Sequence, residues 1–376
     1  MKNKKFGILL IVLSLTVMGS KLYTGKAQPR EINNPAFNQQ VIDSIASGEK
    51  LGSFVENGKT HFRLFAPSAD DVKVIIFNQP EQTVGKEFDM ERDENNIWEV
   101  SVDGELYGYF YGYKVKHTEI PGSENIICLD PYAKAVATFN TYFSPRRGII
   151  IKESDYDWED DDWIKIDWRD LIIYEMNIRD MTEHISSGVE KRGTYQGLIE
   201  KDKKGGIDYI KNLGVNAVEL LPAQEFANIE IPFGDSLKGK FNTWNPYERN
   251  HWGYMTAAYF APEAYYSEDV REIKFDEWNG DDARAVYDFK DMVKAFHKEG
   301  IAVIMDVVYN HLSEYEIGNL KEIDKEYYFR LDEEGGYIAV SGCGNDFKTE
   351  RPMARRLIVE SVLYWMQEYH IDGFRF

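Results

Sequence analysis

The chain has 376 residues, 43% hydrophobic and 14% aromatic, enough to bury a core and to fill two domains. A formal charge of −20 argues against partners held by basic patches, namely nucleic acid and anionic membrane surfaces. A neutral polymer is not repelled by such a surface, and the 24 Tyr, 21 Phe and 8 Trp, core residues by default, include flat amphipathic rings that suit stacking on sugar faces.

Lys2, Lys4 and Lys5 form a charged head, residues 6–18 an apolar core, and Gly25-Lys26-Ala27 offers small residues where a signal peptidase reads. Residues 1–27 are therefore expected to be an export signal. The apolar run of 13 residues is short for a membrane span of about 20, and no cysteine follows it to take a lipid. Export to a periplasmic or extracellular site is expected, with no membrane contact beyond that signal; an uncleaved anchor helix is the other reading. The polar residues 28–50, with Asn33, Asn34, Pro35 and Gln39, read as a linker.

Residues 51–150 carry short strand signals at 60–65, 72–77, 97–102 and 107–115, alternating in polarity and separated by turns, which predicts a small β-sandwich. The aromatics of 108–113 read either as a surface that holds a sugar chain or as core and cross-strand packing. The acidic run 153–168, broken by Trp158, Trp163 and Trp168, reads as a solvated connector, assigned to 151–168, that its tryptophans pin down.

From residue 171 the pattern becomes strand-helix-strand: strand 171–176, helix 207–213 closed by Gly214, strand 217–221, helix 284–298, strand 301–305 and helix 355–368. Val286, Phe289, Met292, Val293 and Phe296 share one face of the longest early helix, and Gly300 stops it. In the last helix Ile358, Val362, Trp365, Met366 and Tyr369 face inward. The fold class is thus α/β, an N-terminal β-sandwich followed by the first part of a (β/α)8 barrel over 169–376: three units and the start of a fourth. An open doubly wound sheet is the smaller alternative, but the chain has no Gly-rich phosphate loop. The strand in 301–311, IAVIMDVVYNH, delivers Asp306, Asn310 and His311 to the carboxyl end of the barrel, where active sites lie. Cys128 and Cys343 are expected to be free thiols, and neither spacing suggests a metal site.

Asp306-Val307-Val308-Tyr309-Asn310-His311 resembles the first signature of the α-amylase superfamily, glycoside hydrolase family 13, and Asp372-Gly373-Phe374-Arg375-Phe376 the start of its second. Ile173-Tyr174-Glu175-Met176 with Arg179-Asp180, Glu219-Leu220-Leu221-Pro222, Asn250-His251-Trp252-Gly253-Tyr254 and Gly342-Cys343-Gly344-Asn345-Asp346 resemble its branch of pullulanases, isoamylases and glycogen-debranching enzymes. Residues 62–67 and 108–115 are similar to the carbohydrate-binding module that precedes barrels of this branch.

The resemblance implies retaining hydrolysis of α-glucosidic bonds in starch, glycogen or pullulan by two carboxylates about 5 Å apart. It implies Tyr254 as the platform under the reacting sugar, His311 as a donor to that sugar, Asp306 as a brace of the floor, and Trp252 and Asn345 as further substrate contacts, Asn345 at the cleft rim; residues 342–346 also read as a plain turn. Arg375 is the one catalytic group it places in the chain, a fixed charge that keeps a neighbouring nucleophile ionised. The nucleophile itself is expected at the position after Phe376, with the general acid further on, so the chain is expected to be an inactive fragment of a longer enzyme. No cofactor is expected: in some relatives the residue matching Asn310 supports calcium, but one amide is no ligand set. Met255-Thr256 stands where debranching members carry Asp-Pro, which weakens a pullulanase label and leaves α-1,4 and α-1,6 bonds open. The alternatives are a branching transferase, disfavoured by the export signal, and a non-catalytic glucan-binding protein.

Overall fold

The computed structural model describes residues 46–376 except 142, 154, 233–246, 270–275 and 314–316, together with β1 (Leu10–Ile11). The rest of the expected export signal and the linker up to residue 45 lie outside the described residues. Among the described residues no helix is long and apolar enough to cross a membrane.

Alternation builds the first part of the chain. The strands are β2 (Gly52–Glu56), β3 (Lys59–Phe65), β4 (Asp71–Phe77), β5 (Lys86–Asp89), β6 (Glu91–Arg92), β7 (Ile97–Asp103), β8 (Phe110–Lys116), β9 (Ile127–Cys128), β10 (Val136–Phe139) and β11 (Arg146–Ile149). In β3 every second residue, Thr60, Phe62 and Leu64, is buried, and the strand pairs antiparallel with β7 from Lys59 opposite Asp103 to Phe65 opposite Ile97. One sheet runs β2-β3-β7-β6 and packs on a second that contains β10-β11-β8-β4-β5. Phe110, Tyr111 and Tyr113 are buried in this core, so most of the aromatics of 108–113 are packing residues; Tyr109 alone of the four reaches solvent. Cys128 is buried and Cys343 exposed, both free.

The second part is a parallel sheet covered by helices: β12 (Ile173–Met176), β13 (Ala217–Leu220), β17 (Ala302–Asp306) and β18 (Gly373–Arg375), with helices α1 (Tyr195–Leu198), α2 (Ile207–Asn212), α3 (Arg284–Lys298), α4 (Leu320–Tyr328) and α5 (Pro352–Glu368). A separate antiparallel pair, β14 (Ile229–Pro232) and β15 (Tyr247–Arg249), follows β13, and β16 (Trp278–Asn279) precedes α3. The predicted apolar face of α3 is wholly buried, and Gly300 (φ 73°) ends the turn that feeds β17. Helix α4 was not anticipated, although its capping box is written in the sequence: Asn319 accepts from the Lys321 amide and Glu322 from the Asn319 amide.

Strand register decides which side chains meet inside the barrel. Glu175, Glu219, Ile304 and Gly373 lie in one row, and Asp306 is opposite Arg375 in a later one. Lateral neighbours share a face, so Glu175, Glu219, Asp306 and Arg375 all project inward. Below them Ala217, Ala302 and Ile304 form a small cluster that Ile164, Ile166 and Leu171 of the connector close from beneath. Trp158 stacks on His370 at 3.9 Å and Trp163 donates to the Met366 carbonyl at 3.1 Å, so two of the three tryptophans pin the connector; Trp168 is exposed. β1 pairs parallel with β18, Leu10 opposite Phe374 and Ile11 opposite Arg375.

Candidate active site

The inward row at the carboxyl ends of β13, β17 and β18 opens into a cleft of about 740 Å³ lined by Tyr254, Met255, Asp306, His311, Cys343 and Arg375 among others. Asp306 ends a strand of five buried residues and is itself buried. Its Oδ2 accepts from the Tyr254 phenol at 2.5 Å and from Nη1 of Arg375, and that Nη1 also lies 3.3 Å from the Tyr254 oxygen. Nε of Arg375 is 3.8 Å from Glu219. Glu175, Glu219 and Asp306 offer carboxylate oxygens within 4.8 Å of one another. These three carboxylates could cradle a cation, but Arg375 already brings positive charge to Asp306 and Glu219.

Crowded carboxylates shift one another. Burial pushes the Asp306 carboxyl above its usual range, against the opposing pull of the Tyr254 phenol and Arg375. Glu219 is raised by burial and then by the Glu175 charge beside it, again opposed by Arg375. The Tyr254 phenol is pushed well up by burial and by its hydrogen bond to Asp306, so it stays protonated and donates.

Two residues expected to contact substrate also hold the protein's own backbone. His311 is buried, and its Nε2 donates to the Tyr254 carbonyl at 3.0 Å while Nδ1 faces Asn310 Oδ1 at 3.0 Å. The His311 ring therefore lines the cleft and holds the platform residue's backbone. Asn345 is corrected more firmly: it is 1% exposed, accepting from the Leu312 amide at 3.1 Å and donating to the Leu312 carbonyl at 2.8 Å. Both ends of its amide clasp the loop after β17, and its neighbours Gly342, Cys343 and Gly344 line the cleft in its place. Trp252 stands outside the cleft lining, 63% exposed.

Glu175 and Glu219 were missed as site residues. The available signal was a lone carboxylate within an otherwise apolar strand, Ile-Tyr-Glu-Met and Ala-Val-Glu-Leu.

Comparison with known proteins places this geometry. Residues 50–133 match Carbohydrate-binding module 48 (Isoamylase N-terminal domain), and residues 172–338 match Alpha amylase, catalytic domain. Over 87% of its length the chain is 35% identical to the chloroplastic isoamylase 1 of Oryza sativa subsp. japonica, and covers 41% of that protein. To the pullulanase of Bacillus subtilis (strain 168) it is 32% identical over 87% of its length, covering 42% of that protein. A pullulanase variant from Paenibacillus barengoltzii, solved in complex with maltotetraose, superposes with a TM-score of 0.72 at 30% identity, over 91% of this chain and 50% of that one. The chain thus spans less than half the length of these two curated relatives. With a module-48 sandwich ahead of barrel strands that converge on Tyr254, Asp306 and Arg375, the chain belongs to the α-amylase superfamily, in its isoamylase- and pullulanase-like branch.

Proposed function

We propose that this chain supplies the substrate-binding part of an exported retaining hydrolase of α-glucans such as starch, glycogen or pullulan. The observation that carries this is the fixed orientation of Tyr254, whose phenol is held by Asp306 and Arg375 at the floor of the cleft. A ring fixed at its oxygen offers a rigid flat surface to a sugar, and it can support a flattened oxocarbenium-like ring without placing a charge beneath it. The isoamylase and pullulanase relatives, one of them solved with maltotetraose, support the same substrate class.

The roles are those that the family resemblance implies. The nucleophile is proposed at the position after Phe376, two residues beyond Arg375 and so on the same inward face. Arg375, braced by Asp306, would lower that carboxylate's pKa and keep it ionised, and the general acid would come from a later strand. His311, which lines the cleft, also keeps the Tyr254 backbone in place.

Titration calorimetry of the chain with maltotetraose is the direct test. Binding is expected in the wild type and is expected to weaken at least tenfold in Tyr254→Ala; no binding, or equal binding in both, would reject the reading. For export, sequencing the amino terminus of secreted protein should find a start near Gln28, whereas protein retained with Met1 intact would count against it.

A further inference from the structure

The sandwich and the barrel are joined by a buried polar hub that leads to the cleft floor. Arg146 begins β11 opposite Thr138 of β10, and both are buried. Arg146 donates through Nε to Glu225 Oε1 at 3.2 Å and through Nη2 to the Phe226 carbonyl at 2.8 Å; Thr138 donates to the same Glu225 oxygen at 2.5 Å. Glu225, fully buried, also accepts from the Ala264 amide at 3.0 Å. The Phe226 amide donates to Glu263 at 2.8 Å, so both polar backbone atoms of Phe226 are held.

From there the path to Tyr254 is short. The Glu225 carbonyl accepts from the Ala257 and Ala258 amides at 2.8 and 3.1 Å, and Ala227 donates to the Met255 carbonyl at 2.9 Å. Phe226 and Thr256 form a β-bridge. The Phe226 ring closes on Gly253, where an added Cβ would stand 2.8 Å from it. The stretch 253–258, which includes Tyr254, is thus strapped to residues 225–227, and those are gripped by Arg146 from the other domain.

We propose that Arg146 of the sandwich is a positioning residue for the sugar platform: through Glu225 and Phe226 it fixes the backbone that carries Tyr254, so that the module acts on the cleft as well as on any chain it binds itself. The inference rests on the glucan-binding reading of the cleft. A guanidinium is suited to this because it can address a carboxylate and a carbonyl at once with rigid geometry, which a lysine cannot.

Arg147 provides the control. It is the next residue, also buried; it donates to the Pro80 and Gln82 carbonyls at 2.9 Å, stacks on Phe77 and lies 5.4 Å from the Trp278 ring of β16, and none of these partners is in 225–227 or 253–258. Arg146→Gln and Arg147→Gln in the whole chain should both lower the melting temperature. Only Arg146→Gln should weaken maltotetraose binding, by tenfold or more, and speed amide exchange at Ala227, Ala257 and Ala258. Arg146→Lys, which keeps the charge beside Glu225, should fall between it and the wild type, and it takes over the comparison if Arg146→Gln does not fold. Wild-type affinity in the Arg146 variants, or an equal loss in Arg147→Gln, overturns the inference while leaving the cleft reading intact. If wild type and Tyr254→Ala bind maltotetraose alike, the cleft reading fails, and the exchange rates still decide whether Arg146 holds the 253–258 segment.

Discussion

At the scale of single residues, the cleft depends on a few charge-assisted hydrogen bonds. Tyr254→Phe removes the donor to Asp306, a bond of the kind worth about 1.5–3 kcal/mol. Without it the Asp306 carboxyl should titrate still higher, since the phenol is what most opposes burial there, and NMR titration of its carboxyl carbon would read the change. The sign follows: a carboxyl whose folded pKa is raised favours the fold below its unfolded pKa and loses that contribution as pH rises through the folded value. Gly253 is the other sensitive point. Its φ is 82° and a Cβ there would lie 2.8 Å from the Phe226 ring and 2.9 Å from the Pro222 carbonyl. Gly253→Ala should cost about 2–4 kcal/mol, combining left-handed strain with overpacking, and denaturant midpoints would show it. Asp306 could be placed in the sequence because a strand's carboxyl end is legible, and Arg375 through the resemblance of 372–376 to a family signature. The fate of Asn345 could not, because a Gly-rich loop does not disclose which way its amide turns.

At the scale of elements, the connector beneath the barrel is held by a histidine between two acids. His297 near the end of α3 sets Nδ1 3.0 Å from Asp161 of the connector and Nε2 2.9 Å from Asp372 before β18, and His370 sets its own Nδ1 2.7 Å from Asp161. Asp372 also accepts from the Val303 amide at 2.7 Å and the Ile164 amide at 2.6 Å. Burial alone would lower the His297 pKa, but the hydrogen bonds and charges of Asp372 and Asp161 outweigh it and the net shift is upward from 6.5. The clasp is therefore complete below pH about 6.5 and is lost as pH rises through the folded value, with a slope of up to about 1.4 kcal/mol per pH unit. Urea unfolding should show lower stability at pH 9 than at pH 6, and His297→Gln should flatten that difference; an unchanged slope in the variant would remove His297 as its source. The helices α3 and α5 were legible from apolar periodicity. Helix α4, shorter and with a non-helical Asp324 inside it, was not, although its cap was there to read.

At the scale of the whole molecule, the two domains do not behave as beads on a string. The barrel's β16 extends the sandwich sheet, Asn279 opposite Thr138 and Trp278 opposite Phe139. Phe65 meets Tyr327 edge-on at 4.9 Å, Tyr132 meets Phe260 at 4.8 Å, and Ser68 donates to buried Asp324 at 2.8 Å. One hydrophobic core runs through both. Calorimetry should therefore record a single transition with matching calorimetric and van't Hoff enthalpies; two separated transitions would show that the sandwich folds on its own.

The sequence by itself determined the sandwich-then-barrel order, the change from two-residue to helical periodicity near residue 171, and the delivery of Asp306 to a strand end. These are consequences of local pattern, since each residue's face is set by neighbours two to four positions away. Only the tertiary structure decided that Glu175 and Glu219 join Asp306, that His311 and Asn345 hold backbone, and that Arg146 of one domain reaches Glu225 of the other. Those contacts join residues far apart in the chain, so they depend on sheet register and domain docking, and no local periodicity encodes them.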